Sequence, residues 1–334
     1  MREDVRFSIA MCTYNGEKYL GEQLESIARQ QQLPAELVLC DDCSSDATVS
    51  IAERFAVESP FPVRIIRNPK NLGYRGNFAQ AIELCTGELI ALCDQDDVWY
   101  PQKLKKLKEL FLSNPSAAGV FSNGDLIDSS SRLLGKDLWG SFQFDTFDQM
   151  NFRSGQAVGV LLKRNVVTGM AFAIRSSSKN ELLAMPSSWN HDAWLALMLA
   201  AHARLIACPE HLVGYRVHGN QQIGVPISLK EKCSYILSHG ISGYIQLSRD
   251  RNQKEYRENA LQFDALQVCL EKLGISSDDH LLIEAHAKAE HAHRGGALLS
   301  LSRLRRLPTV LGHLRSYKKY SPTGLNAAFR DLVL

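Results

Sequence analysis

The chain has 334 residues, 45% hydrophobic and 22% charged, a composition that excludes disorder and collagen-like repeats and can build a full core without disulfide staples. Lys and Arg number 38 against 36 Asp and Glu, a formal charge of +2 that offers no bulk attraction for nucleic acid. At roughly 150 residues per domain, the length predicts two domains or one large α/β domain with an appendage.

The first residues carry Arg2, Glu3, Asp4 and Arg6 before a short apolar run, which does not read as a secretory signal. No run of about 18 apolar residues follows, so the expectation is a cytoplasmic protein without membrane spans. The eight cysteines are scattered; Cys40 and Cys43, separated by Asp41 and Asp42, have no matching second pair, and all read as reduced, buried thiols.

In chain order, Phe7 to Cys12 is an apolar strand ended by Thr13-Tyr14-Asn15-Gly16, and Tyr19 to Gln31 carries Leu20, Leu24, Ile27 and Ala28 at helical spacing. Glu36 to Cys40 is a second strand, ended by Asp41-Asp42, and Ser44-Ser45-Asp46 opens a helix through Val49, Ile51, Ala52 and Phe55. The cycle repeats with a strand at Val63 to Ile66, a helix at Tyr74 to Cys85, a strand at Glu88 to Cys93 and a helix at Pro101 to Leu112. Alternation of this kind predicts a mostly parallel sheet covered by helices on both faces, which binds ligands outside the carboxyl ends of its strands. Residues 1–121 form the first α/β half, 122–225 a less periodic half richer in Gly and aromatics, and 226–334 a helical, basic extension. Gly169-Met170-Ala171-Phe172 reads as a small-residue strand in the middle part.

The strongest chemical signal is Asp94-Gln95-Asp96-Asp97 directly after a strand, where three crowded carboxylates make most sense beside a cation. Oxygen-rich sites suit Mg²⁺ or Mn²⁺, which share their remaining positions with phosphates and water. An isolated cluster of this type is also an ordinary helix-capping turn, but Thr13, Tyr14, Asn15, Asp41 and Asp42 fall at neighbouring strand ends on the same sheet edge. A nucleoside diphosphate fits such an edge, with Asp42 or Asp41 accepting a pyrimidine imide N–H. Asn71-Leu72-Gly73-Tyr74-Arg75 adds a Gly-containing helix entry whose Arg75 has the charge for a phosphate. Neither GxGxxG nor GxxxxGK[ST] occurs, so dinucleotide and P-loop readings have no support.

These four motifs, Ile9 to Gly16, Asp41 to Asp46, Asn68 to Gly73 and Asp94 to Trp99, resemble the GT-A-fold glycosyltransferases of family 2, and within them the bacterial rhamnosyltransferase-like members. The resemblance covers about the first 220 residues. It implies a GT-A type sheet with a helical C-terminal extension, and metal-assisted transfer of a sugar from a nucleotide sugar to an acceptor hydroxyl with inversion. It further implies Asp96 as metal ligand, Asp94 as companion and possible second ligand, and Thr13, Tyr14, Asn15, Asp41, Asp42, Asn71, Gly73, Arg75 and Gln95 as nucleotide-sugar contacts. Trp189-Asn190-His191-Asp192-Ala193-Trp194 resembles the segment that supplies the general base, with Asp192 as the base; Trp189, His191 and Trp194 are the acceptor-side candidates, the two tryptophans reading equally as core or as rings that stack on a sugar face. Many members carry Glu-Asp where this chain has His191-Asp192. Tyr215 to Asn220 resembles a segment whose His, here His218, completes the metal shell; Arg75 or Arg216 is expected to help neutralise the departing diphosphate.

The expected function is inverting transfer of L-rhamnose from dTDP-rhamnose, or of a hexose from a UDP-sugar, to a bacterial surface polysaccharide or lipid-linked oligosaccharide. A sugar-phosphate nucleotidyltransferase and an inactive sugar-nucleotide-binding subunit are the alternatives; the first usually carries a Gly-rich basic loop after its first strand, where this chain has a single Gly16. The basic tail, with Leu298, Leu299, Leu301, Leu304 and Leu307 on one side of a helix and Arg303, Arg305 and Arg306 nearby, is expected either to cover the core or to lie on an anionic membrane surface on the cytoplasmic side.

Overall fold

A computed structural model describes residues 5–183, 185–218 and 229–333. The charges at Arg2, Glu3 and Asp4, the Gly219-Asn220 end of the downstream motif and the boundary near residue 226 lie outside the described residues. The chain divides into two compact units: one holds residues 1–157, 166–185 and 190–225, the other residues 158–165, 186–189 and 226–334.

The first unit is built on a nine-stranded mixed sheet of β1 (Phe7–Thr13), β2 (Glu36–Asp41), β3 (Val63–Arg67), β4 (Leu89–Cys93), β5 (Val98–Trp99), β6 (Ala117–Ile127), β7 (Leu133–Asp137), β8 (Phe172–Arg175) and β9 (Arg204–Arg216). Its order is β3-β2-β1-β4-β8-β6-β9-β5, with β7 on β6. Strands β1 to β4 pair in parallel, while β8 runs antiparallel to both β4 and β6. Every residue of β1, β2 and β4 is buried, as continuous apolar runs must be when helices cover both sheet faces. Helices α1 (Leu20–Ala28), α2 (Thr48–Glu58), α3 (Gly73–Leu84) and α4 (Lys103–Ser113) supply that cover; α1 buries Leu20, Leu24 and Ile27, the i, i+4, i+7 stripe.

The strand expected over Gly169 to Phe172 begins only at Phe172; Gly169–Ala171 is a 3₁₀ turn, because the Gly169 N–H points sideways to the Asp192 carboxylate instead of into a ladder. Of the seven cysteines described, all are free thiols and five are buried; Cys43 is exposed, a departure from expectation. The second unit is helical, with Leu229–Lys272, His280–Leu298, Arg303–Gly312, Leu314–Tyr320 and Leu325–Val333 as its main elements. Among the described residues no helix is long and apolar enough to cross a membrane.

Candidate active site

Parallel register carries the ends of β1, β2 and β4 to one edge of the sheet: Thr13 pairs with Asp41, and Met11 with Cys93, the residue before Asp94. There the polar side chains first bind each other. Thr13 Oγ1 donates to Asp41 Oδ1 at 2.9 Å, and the remaining capacity of Asp41 is taken by the Ser44 N–H and hydroxyl. Asn15, in the left-handed region at φ 48°, accepts the Ser45 N–H through Oδ1 and gives its own N–H to Ser44 Oγ. Asp41 and Asn15 thus serve as braces between two loops.

Asp42 is different. Its Oδ1 accepts Asn68 Nδ2 at 2.8 Å and the Leu72 N–H at 2.7 Å, and its carbonyl accepts Asn71 Nδ2, while Oδ2 meets no protein donor among the described residues. One oxygen therefore fastens the Asn71-Leu72-Gly73 turn, where Gly73 adopts φ +71°, and the other stays available to a ligand.

Gln95 closes the edge from the β4 side. Its amide accepts the Tyr14 N–H at 2.8 Å and donates to the Tyr14 carbonyl at 3.0 Å, copying a strand pairing with a side chain. Gly16 is what allows it, since a Cβ there would stand 2.3 Å from Gln95 Oε1. The Tyr14 ring remains half exposed beside this clamp.

The three aspartates separate by environment. Asp97 is buried and accepts the Arg216 N–H at 2.9 Å; burial, then the charges of Asp96 and Asp94, push its carboxyl well up. Asp94 is raised as well, by burial first and then by Asp96 and Asp192. Asp96 meets His218 Nε2 at 2.8 Å through Oδ2, and both side chains keep partial exposure. A carboxylate oxygen and an imidazole nitrogen so close form a donor pair that fits a divalent ion, with Asp94 beside it. Among the described residues no group of three His, Cys, Asp or Glu side chains is placed to hold a metal ion, so an ion here would take its other ligands from phosphate oxygens and water.

Arg216 does not do what its charge promised. Its side chain is fully buried, donating to the Asp96 carbonyl at 2.6 Å, the Asp128 carbonyl at 3.1 Å, Ser131 Oγ at 2.9 Å and Glu22 at 2.6 Å, above the Tyr19 ring. It holds the Asp96-Asp97 turn in shape and offers no N–H group to a diphosphate. Arg75 is the better-placed cation: Nε donates to Tyr74 OH at 3.0 Å, and Tyr74 in turn donates to Asn190 Oδ1, next to the expected base.

Asp192 sits in the first turn of helix His191–His202, where the helix dipole favours a carboxylate. Its Oδ1 accepts the Ala193 N–H at 2.6 Å and its Oδ2 accepts the Gly169 N–H at 3.2 Å. A Cβ on Gly169 would stand 3.0 Å from His191 Nε2 and 3.7 Å from Asp94 Oδ2, so Asp94, His191 and Asp192 converge over this one glycine. His191 is buried and stacked on Phe78 at 4.0 Å, neither ring nitrogen has a hydrogen-bond partner, and burial, then Arg75, drive its pKa down to about 3. It is a neutral imidazole.

The two tryptophans take the core alternative. Trp194 is fully buried with Nε1 donating to the Glu181 carbonyl, and Trp189 packs edge-on against Phe263 while donating to the Gln262 carbonyl within the second unit. Both are core side chains whose ring faces are covered by protein. Lys103 escaped sequence reasoning: it is buried in α4, lies 3.4 Å from the Trp99 ring centroid, bonds the Met170 carbonyl, and burial lowers its pKa to about 7. A lysine inside a helix reads as solvated surface, and only its place four residues before Leu107 and eight before Phe111, on the buried stripe, hinted otherwise.

Residues 8–179 match the family model described as glycosyl transferase family 2. The chain is 28% identical over 232 residues to the dTDP-rhamnosyl transferase RfbG of Shigella flexneri, covering 66% of this chain and 76% of that one. It is 30% identical over 218 residues to mycobacterial proteins of which it spans 59% of the length. Among solved structures, S. aureus TarS 1-349 in complex with UDP-GlcNAc matches with TM-score 0.54 at 18% identity, over 93% of this chain and 87% of that chain. The mannosyltransferase PcManGT of Pyrobaculum calidifontis, in complex with GDP-Man and Mn²⁺, matches with TM-score 0.50 at 18% identity, over 98% and 86%. The sheet order, the helical cover and these likenesses identify the fold as GT-A type, and the chain belongs to glycosyl transferase family 2.

Proposed function

We propose that this chain is an inverting glycosyltransferase that moves L-rhamnose from dTDP-rhamnose to a hydroxyl of a surface polysaccharide or lipid-linked oligosaccharide. The observation that carries the reading is the convergence of Asp192 and Asp94 over Gly169, beside the Asp96–His218 pair. It sets a carboxylate that can accept a proton next to a group that can hold a diphosphate.

A sugar hydroxyl is a poor nucleophile at neutral pH. Asp192 accepts the acceptor O–H proton as that oxygen attacks the anomeric carbon. The bond from that carbon to the diphosphate oxygen breaks on the opposite face, its electron pair leaves with the nucleoside diphosphate, and configuration inverts. One carboxylate suffices for a single displacement, in contrast with the paired carboxylates of retaining hydrolases. Asp96 and His218, with Asp94 alongside, would hold a divalent ion, Mn²⁺ or Mg²⁺, which would supply charge neutralisation to the diphosphate. Asp42 Oδ2 accepts the imide N–H of the pyrimidine, Asn71 and Gly73 shape the turn beside it, and Arg75 faces the diphosphate.

The name of the Shigella relative favours the rhamnosyl donor; the UDP-GlcNAc complex of TarS supports a UDP-sugar as the second reading. Calorimetric titration with dTDP-rhamnose, UDP-glucose, UDP-galactose and GDP-mannose, each with Mn²⁺ and with EDTA, separates them. Tight metal-dependent binding of dTDP-rhamnose alone is the expected result. Preference for a UDP-sugar replaces the donor, and synthesis of a sugar nucleotide from nucleoside triphosphate and sugar phosphate refutes the class.

A further inference from the structure

The C-terminal unit contains two helices whose polarity is inside out. In Arg303–Gly312 the buried positions are Arg306 and Val310; Arg306 donates to the carbonyls of Leu301 and Asp331, both at 2.9 Å, and of Leu299 at 3.1 Å. With Arg306 pinned inward, Leu304, Leu307 and Leu311, at i, i+3 and i+7, face solvent, 88%, 46% and 57% exposed. Helix Leu325–Val333, packed beside it, repeats the pattern: Ala327, Ala328 and Asp331 are buried, and Leu325, Phe329 and Val333, at i, i+4 and i+8, point outward, Phe329 being 70% exposed. The single long helix expected from Leu298 to Leu307 does not form. Leu298 and Leu299 are core, the chain turns at residues 300–302, and Leu304 and Leu307 of the expected stripe stay outside, joined by Leu311.

The chain that builds this face is basic: residues 291–334 hold eight Lys and Arg and one acid, Asp331, whose carboxylate is buried and accepts the hydroxyls of Tyr256 and Tyr317. Of the eight, Arg306 is buried, and Arg294, Lys319 and Arg330 pair with Glu290, Glu284 and Asp331. Arg305, Arg315 and Lys318 are exposed and pair with no carboxylate among the described residues. A second copy of the chain would bring the same cations against themselves. An anionic lipid surface takes both features at once, with apolar side chains entering the boundary between headgroups and acyl chains and basic ones meeting phosphates.

We propose that the outward faces of helices Arg303–Gly312 and Leu325–Val333 are a docking surface for an anionic bilayer, on which this unit lies in the plane of the membrane. The proposal uses no residue of the active site, so it fails or stands separately from the donor assignment. The test is flotation of the full chain with vesicles of phosphatidylcholine, alone or mixed equally with phosphatidylglycerol. Binding to the mixed vesicles is expected to exceed binding to neutral ones by at least about tenfold and to weaken with salt. The double variant Leu304→Ser/Phe329→Ser should lose about tenfold or more of that binding, with its urea midpoint and calorimetric donor binding unchanged. Arg305→Gln/Arg315→Gln/Lys318→Gln should flatten the salt dependence. Equal vesicle binding by parent and Leu304→Ser/Phe329→Ser, or no binding by the parent, overturns the proposal. So does a concentration-dependent dimer in sedimentation velocity that the Leu304→Ser/Phe329→Ser variant abolishes, because the face is then a protein interface.

Discussion

The two units place their charges in opposite ways. In the sheet unit the middles of β1, β2 and β4 are apolar and buried, and carboxylates gather just past the ends of β2 and β4, where Asp42 accepts the Leu72 N–H and Asp96 meets His218. In the helical unit Asp331, Arg306, Lys288 and His291 are inside, each hydrogen-bonded, while Leu304, Leu307 and Leu311 are outside. A buried polar group is tolerated when every bond it lost to water is replaced. In the first unit Asp42 Oδ2 meets no protein donor among the described residues; in the second, the Asp331 carboxylate is held by two tyrosine hydroxyls and apolar side chains are left on the surface.

The sharpest break in this contrast is Asp192→Asn, which keeps the shape of the first helical turn and removes the base. Transfer should fall by roughly a thousandfold with donor affinity within about twofold, read as single-turnover rate against calorimetric Kd; undiminished transfer removes Asp192 from the role. In the other unit Asp331→Ala strands two buried tyrosine hydroxyls and should cost about 2–4 kcal/mol in urea unfolding, with donor binding intact. A loss below about 0.5 kcal/mol would mean that the pair finds other partners.

Acid should also weaken this network. His291 bonds Ser316 and Ser321, and burial, then Lys288, Arg294 and His313, lower its pKa to about 4. Below the unfolded value near 6.5 the unfolded chain takes a proton that the folded ring refuses, so stability declines as pH falls from 6.5 toward 4. His291→Gln should lose less than the parent over that range, by about 2 kcal/mol, and parallel losses would contradict the assignment. The smallest effect belongs to the sheet edge. Gly16→Ala should displace Gln95 and cost about 1–2 kcal/mol, while adding it to Gln95→Ala should cost almost nothing more; additive losses would break the proposed coupling.

Much of the sheet unit is readable in one dimension because its signals are local. Apolar runs at Phe7, Glu36, Val63 and Leu89, each followed by polar turns, define strands and helices before any contact is known. The crowding of Asp94, Asp96 and Asp97 is local too, but their division of labour is not. Asp97 turns inward to the Arg216 backbone, 119 residues away, and only Asp96 keeps an oxygen for His218. Trp194 and Arg216 looked like ligand groups because aromatic and guanidinium side chains commonly are; whether a ring face or an N–H fork is free depends on which carbonyl reaches it first.

Taken alone, the sequence determined the family, the sheet edge and the residue types available for transfer, because strand-end turns and carboxylate spacing are set by neighbours a few positions apart. Tertiary structure decided the convergence of Asp94, His191 and Asp192 over Gly169, the burial of Lys103 and Arg216, and the outward stripe of Leu304 and Phe329. Each of these rests on which of two faces the fold turns inward. A helix with both leucines and arginines supplies either answer until a partner such as the Asp331 carbonyl claims one side.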